Sequence, residues 1–201
     1  GSDRYYAYTI GDPAYRAWLS AIKSGRGFIT NGPILSFDVE GHTSGETVDF
    51  SGTRKVHARV TAQSILPFAT LEIIVNGWAV GHKTIFTSDN PPVDGIYTMN
   101  VEAELELDNS CWIAARVAED PDNKNRILPR GLSVFAHTNP VYFIRDGKSI
   151  KEEASIIYLK KYVRGTIHWL QTNPSFENPD DRLEALKLAD DALQIYESLK
   201  K

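Results

Sequence analysis

The hydrophobic period of the chain changes twice, and no other feature constrains its fold more. From Ile34 to about Ile150 apolar residues recur at every second position. They form the sets Leu35, Phe37, Val39; Val56, Ala58, Val60, Ala62; Leu71, Ile73, Val75; Met99, Val101, Ala103, Leu105, Leu107; and Ile113, Ala115, Val117. A period of two is that of a strand with one buried face. Between Met99 and Leu107 the alternate positions are Asn100, Glu102, Glu104 and Glu106, so the opposite face meets water. Asn76-Gly77 predicts a hairpin leading into Trp78–Val80, and Asp146-Gly147 predicts a second. A polar loop runs from Glu119 to Asn125, and a strand is expected around Leu132 to Ala136. About eight short strands with regular turn signals predict a mainly β fold, an immunoglobulin-like antiparallel β-sandwich over residues 34–150.

Helical periods flank this region. Asp12 and Pro13 suit a cap and a first helical position, and Tyr15, Trp18, Leu19 and Ile22 then fall on one face. Gly25 is placed to end that helix in the left-handed conformation, after which Phe28 and Ile29 are extended. Asn31-Gly32-Pro33 reads as a rigid joint: proline biases Gly32 towards extension, while Thr30 and Asn31 can bond nearby backbone groups. Residues 1–33 are therefore expected to be an N-terminal helix and joint. Past Ile150, Ser149 and Glu152 have capping-box spacing, and Ala154, Ile157, Tyr158, Tyr162 and Trp169 share a broad face. Asn173-Pro174 and Asn178-Pro179 interrupt the chain, with Asn178 a cap and Leu183, Leu186, Leu193 and Tyr196 a second stripe. Residues 151–201 are thus expected to form an α-helical hairpin that packs on the sandwich or on another domain.

Charge and composition exclude several function classes. The 201 residues carry 22 Lys+Arg against 26 Asp+Glu, with no basic run, which argues against nucleic acid as a partner. No apolar run approaches the roughly 20 residues that span a bilayer, so no transmembrane segment is expected. Gly1-Ser2 has the look of a cloning remnant and no signal peptide opens the chain, so the compartment stays open. Cys111 has no possible intrachain partner and sits in an apolar strand beside Trp112, where a plain buried thiol is expected. No Gly-x-Ser-x-Gly elbow exists, and His42, His57, His82, His137 and His168 are scattered singly without metal-ligand spacing. Neither a catalytic residue nor a metal ligand is therefore assigned. The stretch Asp120–Asn125 has oxygen ligands, but Lys124 stands at its fifth position and the reading is a solvated turn. Trp78 and Trp112 are candidates for a sugar platform, against the simpler role of filling the core.

Several segments resemble a known family. DRYYAYT with YRAWLSAIKSGRGFITNGPIL, IIVNGWAV (73–80), WIAARV (112–117), AHTNPVYF (136–143) and a helical tail occur in that order. Together they are similar to the region that follows the catalytic domain in the carbaryl-hydrolase-like (CehA/McbA) branch of the PHP, or polymerase-and-histidinol-phosphatase, metallohydrolases. The family's early His-x-His and its further metal ligands have no counterpart here. The resemblance implies a non-catalytic, cofactor-free carboxy-terminal region of a larger metal-dependent phosphoesterase- or esterase-like hydrolase, its partner being a catalytic domain that holds the divalent metal. Shaping that domain's cleft, or a homo-oligomer contact, would be its role. Arg26, Thr30, Asn31, Arg116, His137 and Asn139 lie in the resembling segments and are candidates either for local bracing or for the interdomain face. Tyr15, Trp18 and Trp78 are the exposed-aromatic candidates, and an independent carbohydrate- or surface-binding module is the alternative.

Overall fold

The computed structural model describes residues 3–11, 14–84, 91–118, 134–172 and 176–199. Among these are eleven strands and three helices, and the chain divides into two compact units, residues 1–150 and 151–201.

In the first unit two sheets share one core. The smaller has the order β3 (Ile34–Val39), β5 (Arg54–Ser64), β8 (Tyr97–Leu107), all antiparallel. The alternation read from sequence is what sets its register: Val56, Ala58, Val60, Ala62, Met99 and Val101 turn inward and are buried. The larger sheet is built on β9 (Cys111–Ala118). One edge of β9 pairs with β6 (Thr70–Val75), which hairpins through Asn76-Gly77 into β7 (Trp78–Thr84). Asn76 at φ 50° and Gly77 at φ 95° supply the left-handed pair that such a turn demands. Leu71, Ile73, Ile113, Ala115, Val117 and Phe143 from this sheet complete the core.

The other edge of β9 forks. Its C-terminal half pairs with β10 (Ala136–Thr138), which leads on to β2 (Gly27–Thr30) and β1 (Arg4–Ala7). Its N-terminal half pairs with β11 (Val141–Arg145), which leads to β4 (Thr47–Phe50). The β4–β11 pairing is parallel, so the expectation of a wholly antiparallel fold is corrected. Strands β1, β2 and β4 have four residues each, too short for an alternation to register, which is why about eight strands were expected. Residues 1–33 are also more than a helix and joint, because β1 and β2 are strands of the larger sheet. At Asp146-Gly147 there is a turn without a hairpin: both residues have positive φ, the turn closes β11, and the Asp146 N–H donates to Phe50 O.

Helix α1 (Tyr15–Lys23) ends as expected at Gly25, φ +68°. Its stripe is turned differently: Ala21 is buried, Leu19 and Ile22 are half-buried, and Tyr15 and Trp18 are exposed. Ala14 occupies the N-cap without a side-chain bond, while Asp12 and Pro13 lie outside the described residues.

The second unit consists of α2 (Glu153–Thr172) and α3 (Pro179–Ser198) packed as a hairpin. Because α2 begins at Glu153, Ser149 and Glu152 precede it and do not form the expected box. Asn178 caps α3 as expected, its Oδ1 accepting the Asp180 N–H at 3.1 Å. Arg182 of α3 closes the end of α2 by donating to the carbonyls of Leu170 and Gln171 at 2.8 and 2.6 Å. The aromatic face of α2 is exposed, as is Leu183, whereas Leu186, Leu193 and Tyr196 are half-buried. No described helix is long and apolar enough to cross a membrane.

Candidate functional site

A groove of about 440 Å³ opens on the outer face of the larger sheet, and its cause is the fork in β9. From Ala136 to Val141 the chain takes five steps while its partner, from Val117 to Ile113, takes four. The extra residue is accommodated at Asn139-Pro140 as a bulge. Pro140 has no N–H to offer, and the Asn139 N–H is turned away to Gly27 O at 2.9 Å. The Ala115 N–H would be orphaned there, and the buried Thr138 hydroxyl accepts it instead at 2.9 Å. The ladder is therefore interrupted at Asn139-Pro140, with the Thr138 hydroxyl standing in for one backbone acceptor, and the surface above it is hollow.

Small and apolar groups line the hollow's base, with Ala114 and Ile74 side by side as cross-strand partners. Trp112 and Tyr142, also direct partners across β9 and β11, form one wall. The far edge is fixed by the hairpin turn: Asn76 Oδ1 accepts the Trp112 N–H at 3.0 Å, and the Asn76 N–H donates to Trp112 O at 3.1 Å. Asn76 was not singled out from sequence except as a turn residue, and this clamp depends on β9 lying alongside.

Four of the sequence candidates meet in this groove: Trp112, Arg116, His137 and Asn139. Arg116 is held by Glu72, whose single oxygen Oε2 lies 2.7 Å from Nε and 2.6 Å from Nη2, a contact between β9 and β6. His137 is the cross-strand partner of both Arg116 and Ile29 and is exposed. Asn139 Nδ2 donates to Tyr5 Oη and to Gly25 O, both at 3.0 Å, so this side chain ties the end of α1 and strand β1 to the fork. Gly45 completes the junction: its N–H donates to Pro140 O, and a Cβ there would strike Ser24 O.

The other candidates lie elsewhere. Thr30 Oγ1 accepts the Gly32 N–H at 2.9 Å and donates to Phe135 O, and Asn31 Oδ1 accepts the Phe135 N–H at 2.8 Å. The joint thus anchors the approach to β10. Arg26 carries a buried Nε without a hydrogen-bond partner among the described residues. Tyr15 and Trp18 stack on α1 with centroids 6.2 Å apart, and Trp78 is exposed on β7.

Cys111 is buried, and burial pushes its thiol up to about 11, so at neutral pH it is an un-ionised apolar group with no nucleophilic character. Among the described residues no group of three or more His, Cys, Asp or Glu side chains is placed to hold a metal ion. The Asp120–Asn125 loop falls outside the described residues. No family model, curated protein or solved structure matches the chain.

Proposed function

We propose that the chain is a non-catalytic accessory module of a PHP-type metal-dependent hydrolase, packing on the catalytic domain through α1 and shaping its cleft or an oligomer contact. The observation that carries this reading is the stacked Tyr15–Trp18 pair, 73% and 42% exposed on a helix that is itself anchored by the buried Ala21. Two adjacent aromatics held outward cost water contact that a partner surface would relieve. The roles of Asn139, Thr30 and Asn31 agree with it, because they hold backbone in place. The finer reading of the two-sheet unit is an immunoglobulin-like sandwich, supported by the shared core of opposed, alternating strands.

Within a full-length hydrolase, Tyr15→Ala/Trp18→Ala should lower turnover while leaving metal content unchanged. Wild-type kinetics in a normally folded double variant would reject the reading. The chain by itself should not turn over phosphoester, ester or carbamate substrates in added zinc or manganese, and metal-dependent hydrolysis by it would equally overturn the assignment.

A further inference from the structure

The groove at the fork of the larger sheet differs from a merely uncovered surface in the chemistry of its rim. Its polar groups are left with capacity after the fold has used what it needs. Arg116 gives Nε and Nη2 to Glu72, and Nη1 has no protein partner among the described residues. Asn139 spends Nδ2 on Tyr5 and Gly25 and keeps Oδ1. Trp112 and Tyr142 bond through backbone or not at all among the described residues, which leaves Nε1 and Oη, and the His137 ring is likewise unpartnered there.

These groups rim a base of Ala114 and Ile74 beside two aromatic side chains. The charge of Arg116 is cancelled at 2.6 Å by Glu72, so the rim offers donors and acceptors with no net attraction for an ion. A matching ligand has an apolar face to lay on an aromatic wall, a hydroxylated edge that both donates and accepts, and no charge. A pyranose ring has these properties: one face of C–H groups and a periphery of hydroxyls. We propose that this groove binds a ring of a neutral oligosaccharide, with Trp112 and Tyr142 as the stacking wall and Arg116, His137 and Asn139 as the hydroxyl contacts. Trp78, on the exposed strand β7, is not among the residues lining the groove and takes no part. This assignment is independent of the docking role of α1, since it uses a different element and a different surface.

The test is calorimetric titration of the full chain with cellohexaose, xylohexaose, maltohexaose and mannohexaose, and with hexagalacturonate as the charged control. At least one neutral oligosaccharide should bind with a dissociation constant of about 1 mM or tighter, and no more weakly than hexagalacturonate. Ala114→Leu fills the hollow and Tyr142→Ala removes part of the wall; each should weaken that binding by about tenfold or more, with Trp78→Ala unchanged. Circular dichroism establishes that the variants are folded, and Tyr142→Ala carries the test alone if Ala114→Leu is not. Absence of binding to all four neutral sugars would overturn the proposal. So would tighter binding of hexagalacturonate than of every neutral sugar, or affinity that survives Tyr142→Ala.

Discussion

The outer faces of the two sheets are made from the same kinds of residue and use them in opposite ways. On the smaller sheet the outward residues other than Ile34 are polar, and several of their side chains pair with one another. Arg59 reaches Asp38 at 3.0 Å, Thr61 donates to Asn100 at 2.7 Å, and His57 lies 3.4 Å from Glu102. These pairs lie along an unbroken ladder, so none of them is needed to hold backbone. On the larger sheet Thr138, Asn139 and Asn76 bond main-chain groups instead: Thr138 takes the Ala115 N–H that the ladder at the fork leaves without a partner, Asn139 holds Gly25 O, and Asn76, at the hairpin turn on the other edge of β9, takes the Trp112 N–H. A polar side chain in a regular sheet is therefore close to interchangeable, while one at a break in the ladder is structural, and the apolar residues around it are left open for other use.

Substitutions can break that comparison. The largest effect is expected for Asn139→Ala, which strips two bonds from the junction of β1, α1 and the fork and should cost about 2–3 kcal/mol in denaturant unfolding. An unchanged midpoint would show the junction to be held by packing alone. Thr138→Val keeps the shape but leaves the buried Ala115 N–H unpaired, for an expected loss of about 1–2 kcal/mol by the same measurement. On the smaller sheet, Thr61→Val or Arg59→Ala should cost about 0.5 kcal/mol or less, since both partners are exposed and remain hydrated. Equal losses on the two faces would abolish the distinction.

A smaller effect, in pH, sharpens the contrast further. The hydrogen bond from His42 holds the Glu46 carboxyl below its ordinary value, helped by two bonds from Thr43. A lowered folded-state pKa contributes stability that is present above the ordinary glutamate range and lost as pH falls through the lowered value. Glu46→Gln should therefore flatten the acid limb of the unfolding profile slightly, and an unaltered limb would show this pair to be inert. The opposite sign holds at Tyr8, whose hydroxyl donates to Leu35 O and is pushed up to about 12 by burial. Its contribution is complete below the ordinary tyrosine value and declines as pH rises towards 12.

The legibility of the sequence followed the same division. The smaller sheet could be read almost residue by residue, because β5 and β8 are long and their pairing obeys a strict period. Gly25, the Asn76-Gly77 turn and the Asn178 cap were equally plain, each being a local conformational demand met by local chemistry. The groove was not legible. Arg116, His137 and Asn139 drew notice by their segments, but their meeting depends on β10 and β11 sharing one edge of β9 with a one-residue slip. Nothing within AHTNPVYF states that slip. Glu72 as the partner of Arg116 was invisible for the same reason, the two being 44 residues apart. The parallel seating of β4 against β11 is likewise a tertiary outcome that short strands do not announce.

The position of β10 has a consequence for how the chain is assembled in time. It lies between β2 and β9, so β2 lacks its second neighbour until residues 136–138 have been made. The bonds that then form span 104 residues at Asn31–Phe135 and 114 at Gly25–Asn139. Local hairpins such as β6–β7 close early, whereas β2 waits, unpaired on one side, for a strand that follows much later in the chain. Closing loops of that length before any contact rewards it places completion of the larger sheet late and makes it slow. Within this unit, β1 and β2 precede β10 in the chain and are among the last strands to be secured.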